Sequence, residues 1–192
     1  MVRGIVLAVL VCGLAFGQNV EWPEYGGDPG HTKFSPLDQI NESNVNDLEI
    51  AWRWDTGDAA VEGAGSARPG GNKVTPIYVN GNLYVSTPLS RVAALDPATG
   101  QTKWVFDPEA YKLGRPSPAG WQHRGVTYWD DGGDGRIYIG TGRLHVFALN
   151  ATSGEPIESF GEGGSFDLLK GIYEENERRV MGKNAPVTIV NG

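Results

Sequence analysis

The feature of this sequence that most constrains its fold is an internal repeat. Residues 83–106 align without a gap on residues 137–160, and seven of the 24 aligned positions are identical. The identical pairs are Tyr84 and Tyr138, Thr87 and Thr141, Val92 and Val146, Ala94 and Ala148, Leu95 and Leu149, Gly100 and Gly154, and Phe106 and Phe160. In both copies, short runs of β-branched, aromatic and small apolar residues flank a polar turn, which predicts β-strands.

Each copy places a polar turn between two strand-like runs. In the first copy the turn is DPATG, where Asp96 can accept hydrogen bonds from the backbone N–H groups that follow and Gly100 can supply the positive φ that reverses the chain. The second copy uses NATSG, which ends at Gly154. A strand–turn–strand unit repeated at roughly 50 residues is typical of propeller blades, because each small sheet buries its faces only against its neighbours. The sequence therefore predicts an all-β propeller.

A third copy begins where the sequence ends, because PVTIVNG (186–192) echoes TPIYVNG (75–81). Since closed propellers contain about four to eight blades, we expect this chain to be the N-terminal part of a longer protein. The alternative is a complete small β-sandwich. The expected organisation is a lead-in segment over 18–72, blade-like repeats over about 73–122 and about 123–185, and the start of the next blade over 186–192.

The first residues have the pattern of an export signal. Arg3 precedes an apolar run over 5–16, which is too short to span the roughly 30 Å hydrocarbon core of a bilayer. We predict a signal peptide over 1–17, cleavage near Gln18, and a periplasmic or secreted product. Lipidation of Cys12, the only cysteine, is the alternative. After simple cleavage the mature chain would contain no thiol for disulfides or metal binding.

The charge balance limits the class of partner. The chain contains 16 Lys and Arg against 23 Asp and Glu, which gives a formal net charge of −7. A protein that binds the phosphate backbone needs a basic surface. The acidic balance therefore argues against a nucleic-acid partner.

The stretch ALDPATGQTKW (94–104) resembles the repeat of quinoprotein propellers, in which the tryptophan of each blade packs on the neighbouring blade. The second copy departs from this pattern at Glu158, which occupies the place of Trp104. The same repeat occurs in a bacterial outer-membrane assembly scaffold that binds no cofactor. The repeat by itself therefore indicates a fold and not a function.

Three further stretches resemble the pyrroloquinoline quinone (PQQ)-dependent alcohol and sugar dehydrogenases. Residues 21–58 resemble the N-terminal part of these enzymes, with the elements W-x-x-Y-G, N-V-x-x-L and W-x-x-x-T-G. Residues 73–87 resemble their first full blade, and HRGVTYWDDG (123–132) resembles their R-G-V/L-x-Y-W element. The resemblance covers essentially the whole mature chain and is nearest to the quinoprotein glucose dehydrogenase branch. It implies an eight-bladed propeller, of which this chain holds the first two blades and the start of a third.

The resemblance implies three cofactor-binding residues. Arg124 matches the family arginine that pairs with a carboxylate of the cofactor, where a guanidinium offers a two-point match; a surface arginine at a strand start is the alternative. Lys73 stands where the family often carries a polar or acidic residue facing the quinone, and it could pair with a quinone oxygen or carboxylate. His123 is adjacent to Arg124, whereas the glucose dehydrogenase branch has a histidine a few residues upstream. Strand alternation would point these two neighbours to opposite faces.

Other motifs carry no chemistry of their own. DDGGDG (130–135) lacks the distal glutamate of a helix–loop–helix calcium site, so we expect a hairpin loop there. GEGG (161–164) lacks the lysine of a phosphate loop. The adjacent cysteine pair of the alcohol-oxidising branch has no counterpart in this sequence.

For the whole protein, the resemblance implies oxidation of an alcohol or aldose sugar, with PQQ as hydride acceptor and Ca²⁺ as Lewis acid. The base and the Ca²⁺ ligands are expected beyond residue 192, so we expect no catalytic residue and no metal ligand in this chain, and no activity from it alone. Electrons would pass to a quinone or cytochrome c, and peripheral association with the membrane is left open. The alternatives are a non-enzymatic propeller scaffold or binding module of the bacterial envelope, and a sugar-binding propeller without catalysis.

Overall fold

The structure is a computed structural model that describes residues 20–61, 72–116, 120–130, 132–171, 183 and 185–190. Over these residues the chain forms two four-stranded antiparallel sheets and three short 3₁₀ helices, so the predicted all-β class is confirmed. The predicted signal peptide and Cys12 lie outside the described residues. None of the helices in the described ranges has the length and apolar character needed to cross a membrane.

Strands that follow one another along the chain are neighbours in each sheet. The first sheet contains β1 (Ile77–Val79), β2 (Asn82–Ser86), β3 (Val92–Leu95) and β4 (Thr102–Phe106), and the second contains β5 (Thr127–Trp129), β6 (Arg136–Gly140), β7 (His145–Asn150) and β8 (Ser165–Asp167). The 3₁₀ helices are Val45–Asp47, Asp58–Ala60 and Ala110–Leu113. We call these two sheets the first and second blade.

The sequence repeat contains the two middle strands of each blade and the start of the fourth. Tyr84 lies opposite Ala94 in the first blade, and Tyr138 lies opposite Ala148 in the second. The same side chains therefore occupy the same places in the two sheets. The predicted turn is also present, because the Asp96 carboxylate accepts hydrogen bonds from the backbone N–H groups of the residues that follow it.

The main apolar core lies between the two blades. It combines buried residues of both sheets with partly buried aromatic rings around them. The buried members are Ile77, Val79, Tyr84, Val92 and Ala94 from the first blade, and Val126, Ile137, Ile139, Leu149 and Ala151 from the second part of the chain. Each blade is too small to form such a core alone, so the two stabilise one another.

The ring of Trp104 packs against the turn glycine of the second blade, as the resemblance implies. An ideal Cβ on Gly154 would lie 2.5 Å from Cδ2 of Trp104, so the ring lies directly on the backbone. The indole Nε1 donates to the carbonyl of Ala151 at 3.2 Å, and the hydroxyl of Tyr84 donates to the same carbonyl at 3.1 Å. Both bonds join the first blade to the backbone of the second and satisfy the polar groups of the two side chains.

The lead-in segment makes the same contact with the first blade. An ideal Cβ on Gly100 would lie 2.5 Å from Cε3 of Trp52, and the Nε1 of Trp52 donates to the carbonyl of Pro97 at 3.0 Å. Trp52 therefore occupies, relative to the first blade, the place that Trp104 occupies relative to the second. The W-x-x-x-T-G element continues the stacking although its backbone forms no regular strand.

The start of the lead-in segment covers the open edges of β1 and β5. Trp22 exchanges two backbone hydrogen bonds with Tyr78, at 2.7 and 3.0 Å, and Tyr128 donates from its backbone to the carbonyl of Pro23 at 3.1 Å. Unpaired strand edges expose backbone donors and acceptors, which this segment satisfies. The edge strands of both blades are thereby joined through one extended stretch of chain.

The second blade departs from the repeat in its fourth strand. Leu149 bridges Pro156 just as Leu95 pairs with Thr102, so the two copies begin this strand alike. The chain then turns over 158–164 and returns as β8, which completes the pairing with β7. Glu158 is exposed in this turn. The missing tryptophan therefore coincides with an interruption of the strand that would carry it.

Replacing Gly154 by alanine is expected to destabilise the protein more than replacing Gly81. Both glycines have positive φ, 78° and 70°, so either alanine incurs the strain of left-handed backbone, about 1–2 kcal/mol. Only at Gly154 does the new Cβ meet Trp104, whereas the space beside Gly81 is open. Overpacking adds about 1–3 kcal/mol to the loss. Urea unfolding of both variants measures the difference, and equal losses would contradict the importance of the Trp104 contact.

Candidate functional site

The three residues singled out from the sequence lie at one end of the two blades, just before β1 and β5. A backbone hydrogen bond from Thr75 to the carbonyl of Arg124, 3.0 Å long, joins the two stretches. The structure thus brings Lys73 to the same end as the pair His123 and Arg124. The three side chains have different surroundings: Lys73 is exposed, Arg124 is half-buried and His123 is fully buried.

Arg124 is half-buried and lines a cavity of about 240 Å³. The other lining residues come from the lead-in segment, from β5 and from the last described stretch: Glu24, Tyr25, His31, Thr127, Ala185, Pro186, Val187 and Thr188. In the described part of the chain, no carboxylate forms an ion pair with the Arg124 guanidinium. The guanidinium can therefore bind a carboxylate ligand in this cavity.

His123 is 0% exposed and does not line the cavity. Its Nε2 lies 2.9 Å from the carbonyl of Gly140, to which it donates. The lone pair of Nδ1 is shared by the hydroxyl of Ser86 at 2.7 Å and the backbone N–H of Gly125 at 3.2 Å. Because two donors converge on Nδ1, we assign the proton to Nε2. Direct contact of His123 with a cofactor stays a prediction.

Burial lowers the pKa of His123 from 6.5 to about 4. The hydrogen bond to Gly140 opposes this shift, and the positive charge of Lys183 adds to it. The imidazole is therefore neutral at physiological pH. A Ser–His pair at this distance can serve as a nucleophile and its base in hydrolases. Here both side chains are fully buried, and their hydrogen bond joins the end of β2 to the segment before β5.

Lys73 is exposed and does not line the cavity around Arg124. Its backbone lies two residues before Thr75, so it shares the end of the blades with that cavity. Its predicted pairing with a quinone oxygen or a carboxylate stays a prediction.

The structure adds Lys183, which the sequence did not single out. This side chain is half-buried and crosses Gly140, where an ideal Cβ would lie 2.6 Å from Nζ. Its Nζ donates to the carbonyl of Ala185, and burial lowers the pKa of its ammonium. The only signal in the sequence was its position shortly before the third copy of the repeat, which parallels that of Lys73 before the first.

β5 and β6, which flank DDGGDG, pair antiparallel as a hairpin, as the sequence predicted; residue 131 lies outside the described residues. The Asp130 carboxylate accepts a hydrogen bond from the backbone of Gly132 at 2.7 Å and one from the hydroxyl of Tyr128 at 3.1 Å. These hydrogen bonds engage the Asp130 carboxylate within the protein and stabilise the turn. Among the described residues, no group of three or more His, Cys, Asp or Glu side chains is placed to hold a metal ion.

The burial of His123 predicts a loss of stability in acid. The folded pKa of about 4 lies below the unfolded value of 6.5, so between them the unfolded chain binds a proton that the folded protein does not. The contribution of His123 to the free energy of unfolding is therefore complete above the unfolded pKa. It falls, by on the order of 3 kcal/mol, as the pH drops to the folded pKa.

Urea unfolding of the wild type and of His123→Gln over this pH range isolates the effect, because glutamine does not titrate. The stability difference between the two proteins is expected to shrink steadily toward the acid end. Parallel pH profiles would show that the imidazole titrates as it does in the unfolded chain.

The sequence of this chain is similar to those of known proteins. Residues 22–192 match the family described as the PQQ glucose/ethanol/alcohol dehydrogenase β-propeller domain. The quinoprotein glucose dehydrogenase of Escherichia coli (strain K12) is 35% identical over 175 residues, which cover 80% of this chain and 21% of that protein. Quinoprotein glucose dehydrogenase A of Acinetobacter calcoaceticus is 31% identical over 169 residues, which cover 77% of this chain and 20% of that protein.

The fold is likewise found in a solved structure. The quinohemoprotein alcohol dehydrogenase from Comamonas testosteroni superposes with a TM-score of 0.62 at 30% identity, over 81% of this chain and 20% of that one. This chain spans about a fifth of the length of the curated relatives named above. From the match over residues 22–192, the chain belongs to the β-propeller family of the PQQ-dependent glucose, ethanol and alcohol dehydrogenases.

Proposed function

We propose that the protein to which these blades belong is an exported quinoprotein dehydrogenase that oxidises an alcohol or an aldose sugar with PQQ. The family supports the reaction class, since relatives include glucose and alcohol dehydrogenases. Because this chain spans about a fifth of such relatives, the activity is proposed for the whole protein. The observation that carries the proposal is the Arg124 guanidinium, which lines a cavity without a carboxylate partner in the described ranges.

The residues around this cavity fit a ligand that carries carboxylates. A guanidinium withdrawn partly from water is stabilised by a planar anion, which accepts two of its N–H bonds at once. PQQ has three carboxylates, so it can supply such a group. Glu24 lines the same cavity and would repel an anion, so the ligand carboxylate is expected next to Arg124 and away from Glu24. Lys73, exposed at the same end, is proposed as a further cationic contact.

When bound, PQQ accepts a hydride from the substrate, and Ca²⁺ is proposed as the Lewis acid that assists it. The part of this chain in the reaction is to bind and orient. Arg124 would hold a cofactor carboxylate, and the lead-in segment closes one side of the cavity with Glu24, Tyr25 and His31. The general base and the Ca²⁺ ligands are proposed to lie in the remaining blades.

The location and the electron acceptor are proposed from the sequence and the family. The apolar stretch within residues 1–17 supports export to the periplasm or beyond. We propose that electrons pass to a quinone or to cytochrome c, and that any association with the membrane is peripheral. These proposals concern the whole protein.

Arg124→Ala is expected to weaken PQQ binding to the whole apoprotein by about 10- to 100-fold, because a charged hydrogen-bonding partner contributes about 1.5–3 kcal/mol. The matched control is Arg53→Ala, since Arg53 is exposed and does not line the cavity. Fluorescence titration with PQQ measures the dissociation constants. Dye-linked oxidation of glucose and of ethanol, with PQQ and Ca²⁺ added, measures the activity.

Two results would contradict the proposal. Equal dissociation constants for the two arginine variants would remove Arg124 from the cofactor site. Failure of the folded wild type to bind PQQ at all would favour a non-enzymatic scaffold or binding module of the envelope, the alternative that the repeat leaves open.

A further inference from the structure

The backbone of Arg124 is held from both sides. The residue before it, His123, accepts a hydrogen bond at Nδ1 from the backbone N–H of the residue after it, Gly125, at 3.2 Å. This bond closes a small ring around Arg124. The carbonyl of Arg124 in turn accepts a bond from the backbone of Thr75 at 3.0 Å. The main chain at Arg124 is therefore held by two hydrogen bonds, neither of which uses the guanidinium.

Gly125 permits this arrangement because it lacks a side chain. Its φ is +142°, and an ideal Cβ would lie 2.9 Å from the carbonyl oxygen of Thr75. Side chains other than hydrogen would clash with that carbonyl and would strain the backbone. The R-G step in the sequence thus places the chain in close contact with the segment that leads into β1.

The imidazole of His123 is itself anchored in both blades. Its Nε2 donates to the carbonyl of Gly140 at the end of β6, and its Nδ1 receives the hydroxyl of Ser86 at the end of β2. A ring held at both nitrogens and fully buried has one orientation. The acceptor that it offers to Gly125 is therefore fixed relative to both sheets.

We propose that His123 is a positioning residue, which fixes the backbone of Arg124 through Gly125 and thereby directs the guanidinium into the cavity. The two adjacent residues have different surroundings: His123 is buried, and Arg124 lines the cavity. This inference rests on the proposed function, because it concerns the same cofactor site. It assigns to His123 an effect on cofactor affinity that acts through Arg124.

Two substitutions separate this role from simple core packing. Asparagine places its side-chain oxygen near the position of Nδ1, so His123→Asn keeps an acceptor for Gly125 and loses the bond to Gly140. Glutamine places its amide near the position of Nε2, so His123→Gln keeps a donor for Gly140 and loses the acceptor for Gly125. Each variant thus retains one end of the imidazole network.

The experiment measures PQQ binding to the whole apoprotein by fluorescence titration, and unfolding by urea for each variant. His123→Gln is expected to raise the dissociation constant by roughly 10-fold, and His123→Asn by no more than about 3-fold. Ser86→Ala is a comparison variant that removes one anchor of the imidazole and leaves the bond from Gly125 in place. It is expected to raise the dissociation constant by no more than about 3-fold, as His123→Asn does.

The result that overturns the inference is equal PQQ affinity for the asparagine and glutamine variants, while Arg124→Ala still weakens binding. If the proposed function itself is wrong, the result differs: the wild type does not bind PQQ, or its affinity for PQQ is the same as that of Arg124→Ala. Both outcomes are read from the same set of titrations.

A second measurement needs no variant of His123 to fold. Nitrogen NMR of the wild-type imidazoles distinguishes the two neutral tautomers. The inference requires a proton on Nε2 and a hydrogen-bonded, unprotonated Nδ1 for His123, whose signals are assigned through the backbone resonances of its neighbours in the sequence. A proton on Nδ1 would leave no acceptor for Gly125 and would overturn the inference.

Discussion

The packing of an indole ring on a turn glycine is the contact on which the rest of this structure depends. Trp104 lies on Gly154 and Trp52 lies on Gly100, so the same contact attaches the second blade to the first and the first to the lead-in segment. A four-stranded sheet of this size cannot bury both of its faces by itself. The tryptophan contact, together with the apolar layer between the sheets, provides the missing burial and sets the angle at which the blades stack.

The stacking in turn forms the candidate site. Because β1 and β5 begin at the same end, their preceding segments meet through the Thr75–Arg124 bond, and the lead-in segment closes the cavity from one side. Burial then separates two adjacent residues: His123 is neutral among backbone and hydroxyl partners, while Arg124 lines the cavity. One element of the chain therefore supplies both the rigid support and the ligand-facing charge.

Much of the fold could be predicted from local sequence. The repeat over 83–106 and 137–160 predicted the paired middle strands, and DPATG predicted its own turn, because both depend on residues close together in the chain. The interruption at 158–164 could not be predicted in the same way. Glu158 showed only that a tryptophan was missing, whereas the return of the chain as β8 depends on pairing with β7.

The sequence by itself determined the all-β class and the turn chemistry, since strand patterns and turn residues are local signals. Arg124 was singled out through the family resemblance, and its contact with a cofactor stays a prediction. Only the tertiary structure decided the surroundings of His123, the exposure of Lys73 and the presence of Lys183 beside Gly140. The physical reason is that burial and hydrogen bonding at these positions come from segments distant in the chain, which meet only when the blades stack.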